Sequence, residues 1–250
     1  INSKVNEEAG YTKEQTFWES QSNLDKGMRL DTMLRELGFK TKMSRVLNRE
    51  EDDKDLYDIV VEANTFEADF MLSIHSNAGA PSNYVLQIHS GITPGDEKGL
   101  GGYSHVVSKA VCDEAREINT LMGKNQYSNQ VSCWSREPMI AGDKTFARTI
   151  MGWSNGYGVL RWLKVPGTIS EGMMHDYHPE TYRLLNIDYK RQESFNFAKT
   201  FLAHFCGKEL QVGAIGGKIH DDYQKQVFPD YKARRNTRDM FRPINHGVVE

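Results

Sequence analysis

Between residues 19 and 37 the apolar side chains Leu24, Met28, Leu30, Met33, Leu34 and Leu37 fall largely at three- and four-residue spacing, and Gly38 follows where a C-terminal cap belongs. The pattern predicts an amphipathic helix over Glu19 to Leu37. The next stretch, FKTKMSR, reads as a strand, the acidic NREEDDKD as a solvated loop, and roughly Leu56 to Asn64 as a second helix. DFMLSI is a short, nearly continuous apolar run, the kind expected of a strand buried on both faces of a parallel sheet. YVLQIHS is a further strand, followed by a Gly-rich loop from Gly91 to Gly102 and a long helix from about Ser104 to Lys124. VPGTIS, Val165 to Ser170, reads as another core strand, and PETYRLLNIDYKRQESFNFAKTFLAHF as one terminal helix whose Phe195, Phe197, Phe201 and Phe205 face the core. Strands alternate with helices, so the chain reads as an α/β domain over 1–207, with 208–250 as a linker and the start of a β-rich domain.

Composition narrows what such a domain can do. The 250 residues are 38% hydrophobic, enough for one sizeable core, and the formal net charge of −3 gives no field to draw in nucleic acid or an anionic membrane. The basic cluster KARRNTR, Lys232 to Arg238, reads as a solvated face. No apolar run approaches the ~20 residues of a membrane span, and no signal peptide stands at Ile1. Cys112, Cys133 and Cys206 are too few and too scattered for a zinc knuckle or a dense disulfide framework, although one bridge stays open.

Open α/β sheets gather functional groups just past the carboxyl ends of their strands. His75 stands there after FMLSI and Glu171 after VPGTIS, so the two are expected to converge on one crevice. A histidine with a carboxylate begins either a metal site or an acid–base pair, and Glu19, at the start of the first helix, is available as a third group. Singly, each has a plainer reading: a satisfied core or loop histidine, a structural ion pair, and a carboxylate favoured by the helix dipole. GWSNG, Gly152 to Gly156, matches a nucleophile elbow, but the long helix that should follow is cut short by Pro166. GLGGYS lacks the spacing of a dinucleotide loop.

Three segments, ESQSNLDKGMRLDTMLRELGFKTKMSR, VVEANTFEADFMLSIHSNAG and VLRWLKVPGTISEGMMHDYHPETYRLL, resemble in order and spacing the zinc-dependent type-3 N-acetylmuramoyl-L-alanine amidases. The resemblance runs from about Glu19 to Phe205 and implies a mixed, mainly parallel open sheet with helices on both faces, of phosphorylase/hydrolase-like type. It implies Zn²⁺ ligated by Glu19 and His75, Glu171 as the catalytic base, peptidoglycan or muropeptides as substrate, and a periplasmic or secreted location. It also maps a Thr-Arg pair of the family onto Ser44-Arg45 and an Ala-Asn pair onto Ala63-Asn64, with Gly91 to Thr149 as an insertion. Ser76 and Asn77 are expected to hold the loop and the surroundings of the metal by local hydrogen bonds.

Two departures bear on this reading. The family's first zinc ligand is a histidine in a glycine-rich turn upstream of the ligand glutamate, and residues 1 to 18 contain no histidine, so the first strand and its turn are expected to precede Ile1. The family's Ser-Asn after the catalytic glutamate is replaced by His175-Asp176, with His175 read as a surface residue in preference to one that touches substrate or tunes the base. The competing readings are a wall-binding module that has lost its metal and a related zinc peptidase.

Overall fold

The computed structural model describes residues 17–78, 84–96, 108–125, 139–176, 178–210, 220–225 and 241–243. Helix α1 (Glu19–Glu36) keeps the expected limits: Leu37 closes it, and Gly38 follows at φ 90°, a backbone that favours glycine. Helix α2 (Leu56–Thr65) opens on Asp55, whose carboxylate accepts the Tyr57 amide. Strand β1 (Met71–Asn77) follows, then β2 (Leu86–His89), α3 (Lys109–Asn125), β3 (Met139–Gly142), α4 (Asp143–Thr149), α5 (Gly158–Arg161) and β4 (Gly167–Met174). Helices α6 (His178–Leu185) and α7 (Ile187–Cys206) complete this part, and β5 (His220–Lys225) and β6 (Phe241–Pro243) pair antiparallel in a separate two-stranded sheet.

The main sheet has the order β1-β4-β2-β3, with β1 parallel to β4, β2 parallel to β3, and β2 antiparallel to β4. This is an α/β fold with a mixed, mostly parallel open sheet flanked by helices. Against one face Val60 of α2, Phe146 of α4 and Val159 and Leu160 of α5 pack on Leu86, Ile88 and Ile169. Against the other, Leu30 and Leu34 of α1, Ile118 and Met122 of α3 and Phe197 and Phe201 of α7 form a second cluster, joined by Leu72 and Ile74. Each such buried aliphatic or aromatic side chain contributes about 1.5–3 kcal/mol.

Four expectations are corrected. FKTKMSR pairs with no strand among the described residues: Phe39 packs into the second core cluster, but Thr41 hydrogen-bonds Asp31 and gives its carbonyl to Arg35, so α1 takes up its polar groups. β1 is not buried on both faces. Among the described residues it is paired on one side, to β4, and most of its residues are half-buried. The terminal helix is two, because Asn186 stops α6 and its side chain accepts the Asp188 and Tyr189 amides to start α7. Phe197 and Phe201 are core, whereas Phe205 reaches the surface against Phe39 and His204. Cys112 and Cys206 are free thiols; Cys133, Lys232 to Arg238 and residues 97–102 of the Gly-rich loop lie outside the described residues.

Candidate metal and hydrolytic site

Strand β4 is buried along its length except at Glu171, which is half-buried. Its register partner on β1 is His75, so the two side chains leave the same face of adjacent parallel strands. Both lie inside their strands rather than beyond them, as the sequence suggested, because β4 continues through Gly172, Met173 and Met174. Met173 and Met174 are buried, and the Met174 amide donates to Glu180. The register slips just after this pair: Asn77 is opposite Met174, so two steps on β1 match three on β4. Such a bulge bends a strand and re-aims its side chains.

Glu19 arrives from the first turn of α1. Buried Phe17 fixes the entry of this helix by packing with Met173 and Leu184 and lying against the His175 ring at 6.0 Å. Arg45 donates to the Ser20 carbonyl at 2.7 Å, tying the following loop to the same turn. Glu19 Oε1 lies 3.2 Å from His75 Nδ1 and accepts the Ser76 amide at 3.0 Å. The sequence candidates are therefore neighbours: Glu19 touches His75, and Glu171 is the register partner of His75 on the adjacent strand.

His175 is corrected from a surface residue to a buried one. Its Nδ1 lies 3.0 Å from both the Ser76 carbonyl and the Ser76 hydroxyl, and its amide donates to the Asn77 carbonyl. It joins the ends of β1 and β4, and its position directly after two buried methionines was the only sequence signal. Asn77 accepts the Ala78 amide, as expected of a loop-holding residue. Asn64 clamps the approach to β4 through the Trp162 carbonyl and the Lys164 amide. Ser154, the rejected nucleophile, is exposed in a bend and not on a strand-to-helix elbow.

The electrostatics separate the two carboxylates. Burial pushes Glu19 up, but bonds from His75 and the Ser76 amide, with the charges of His75 and His175, outweigh it and hold the carboxyl at about 2. Glu171 has no such donor: burial raises it to about 7, opposed by His75, and its Oε2 has no hydrogen-bond partner among the described residues. Burial pulls His75 down, but the Glu19 bond and the charges of Glu171 and Glu19 leave it raised. The donor chemistry suits zinc: two donors about 2.0–2.1 Å from one tetrahedral ion lie roughly 3.3 Å apart, close to the Glu19–His75 separation. No set of three metal donors occurs among the described residues.

A family model for N-acetylmuramoyl-L-alanine amidases of type 3 matches residues 5–195. The chain belongs to that family. Solved amidase structures share its fold: Ami1 of Mycobacterium smegmatis superposes with a TM-score of 0.59 at 13% identity, over 79% of this chain and 81% of that one. CwlD of Clostridioides difficile, solved with the GerS lipoprotein, gives 0.54 at 13% over 79% and 91%. The catalytic domain of CwlV of Bacillus (Paenibacillus) polymyxa var. colistinus gives 0.53 at 13% over 78% and 89%. No curated protein matches the sequence. Among the described residues of this amidase-family chain no helix is long and apolar enough to cross a membrane.

Proposed function

We propose that this chain is a zinc-dependent hydrolase of the amide between N-acetylmuramic acid and L-alanine in peptidoglycan, acting outside the cytoplasm. The observation that carries the reading is the meeting of His75 with Glu19 at 3.2 Å and with Glu171 as register partner, on a fold shared with the amidase family. Glu19 and His75 would hold the ion, with its remaining protein ligand outside the described residues. Zinc bound there supplies a positive charge that polarises a carbonyl and acidifies water. Glu171 takes the proton from the attacking water and delivers it to the leaving amine of L-alanine. Among the described residues its buried Oε2 has no partner to be displaced before it receives that proton. Ser76 keeps Glu19 ionised through its amide and, with His175, fixes the end of β1 that carries His75.

The test separates the metal from the base. Glu171→Gln is expected to retain zinc and to lose about 10²- to 10⁴-fold in muropeptide cleavage. His75→Ala is expected to lose zinc and activity together. Near-normal cleavage by zinc-loaded Glu171→Gln would remove Glu171 from the role of base. The competing reading is a wall-binding module with no working centre. Full-length protein that takes up no zinc yet sediments with peptidoglycan would establish that alternative.

A further inference from the structure

On the sheet face that carries Glu171 lies a cleft of about 510 Å³ lined by Asp55, Leu56, Trp153, Gly158, Arg161 and Trp162. Glu171 and Ile169 alternate onto this face, and Ile169 packs with Val159 and Leu160 of α5, the helix whose Gly158 and Arg161 line the cleft. The cleft belongs to none of the groups used above. Its walls are aromatic and open: Trp153 is 46% exposed, Trp162 38% and the neighbouring Tyr57 52%. The rings are fixed rather than loose. Tyr57 stands edge-on to Trp162 at 5.4 Å, Trp153 edge-on to the half-buried Tyr157 at 5.4 Å, and the Arg161 guanidinium lies 5.0 Å from the Trp162 ring. Arg161 is itself held by the Asn155 and Gly156 carbonyls.

Leaving two indoles and a phenol in water forfeits the burial that usually places such rings in a core, and an exposed apolar patch with a polar rim marks a binding surface. What it binds follows from its charges. Asp55 and Arg161 cancel, so the cleft offers no net attraction to a polyanion, and the stacking of nucleic-acid bases would need a basic groove. Planar apolar walls beside one carboxylate and one guanidinium suit an uncharged ring with apolar C–H faces and a hydroxyl and amide rim. That is the chemistry of an N-acetylated pyranose.

We propose that this cleft is a saccharide subsite that takes N-acetylhexosamine units of a β-linked glycan strand, with Trp153 and Trp162 as the stacking walls. The inference rests on the peptidoglycan reading for its biological meaning. The subsite would hold further sugars of the polymer while Glu171 acts on a stem amide, so the chain would favour stems on a glycan strand over a stem attached to a single N-acetylmuramic acid.

The probe is N-acetylchitotetraose, which contains these sugars but no lactyl amide and cannot be cleaved by an amidase. Tryptophan fluorescence of the chelator-treated protein is expected to shift saturably with this sugar at millimolar concentration. Trp153→Ala and Trp162→Ala are each expected to weaken that binding about tenfold or more, and Trp153→Tyr to recover part of it. Unchanged thermal midpoints identify variants that remain folded, and Trp153→Phe and Trp162→Phe serve as milder probes if an alanine variant does not. No saturable shift, or equal binding by the folded variants, overturns the proposal. A shift produced by the free stem peptide, and not by the sugar, overturns it in favour of a peptide groove. Because the readout needs neither metal nor turnover, sugar binding without amide cleavage would sink only the catalytic reading, and cleavage without sugar binding only this one.

Discussion

Lys26 and Glu193 form an ion pair at 2.9 Å with both side chains fully buried between α1 and α7. The Glu193 carboxylate fills the space beside Gly172, where a Cβ would collide with it, one residue after Glu171. Removing one partner strands a charge in the core, so Lys26→Met is expected to cost about 3–5 kcal/mol in urea unfolding. The double substitution Lys26→Met, Glu193→Leu is expected to recover most of that loss, and equal losses in single and double variants would show that packing dominates over charge. The pair was legible in principle. Lys26 lies one and two turns before Leu30 and Leu34, and Glu193 one and two turns before Phe197 and Phe201, so each puts a charge of opposite sign on its helix's apolar stripe. That His75, Glu19 and Glu171 fall near one another was readable from the strand and helix assignments, although His75 and Glu171 sit inside their strands and not past their ends. His175 was not, because its burial depends on Ser76, 99 residues away.

Among the elements, helices with a clear apolar period were read to within a few residues, since α1, α2 and α3 each bury one stripe. Periodicity failed at Asn186, where the apolar pattern runs on but a side chain outcompetes the helix for two amides. Asn186→Ala is expected to destabilise the protein by about 1 kcal/mol, read as a lower urea midpoint with an unchanged slope. A neutral result would show that packing of Phe197 and Phe201 alone starts α7. FKTKMSR failed for a different reason: extended backbone and apolar alternation do not make a ladder unless a neighbouring strand offers its amides. The bulge beside Glu171 has no sequence signature beyond Gly172, and it decides how the ends of β1 and β4 meet.

For the molecule as a whole, Asp143 makes stability depend on pH. Burial raises this carboxyl from 3.8 to about 6, only partly opposed by the Tyr157 amide and by Lys144 and Arg161. The folded state therefore holds the proton more tightly than the unfolded chain. This stabilising contribution is full below about 3.8 and is lost as pH rises through about 6, a change on the order of 2–3 kcal/mol. Asp143→Asn keeps an oxygen for Tyr157 without the charge, so its thermal midpoint should exceed the parent's at pH 8 and match it at pH 4. The same offset at both values would rule out the titration of Asp143 as the cause.

The adjacency of β1 and β4 carries a kinetic cost. His75 and Glu171 become neighbours only after the chain between them has closed on itself, an entropic barrier of roughly 4 kcal/mol for a loop of about a hundred residues. Helices α1 to α3 need no such closure, so refolding should restore helical signal in an early phase. The pairing of His75 with Glu171 would return in a slower one, when β4 slots between β1 and β2. A nascent chain would thus keep Glu171 away from Glu19 and His75 until the central strand is in place.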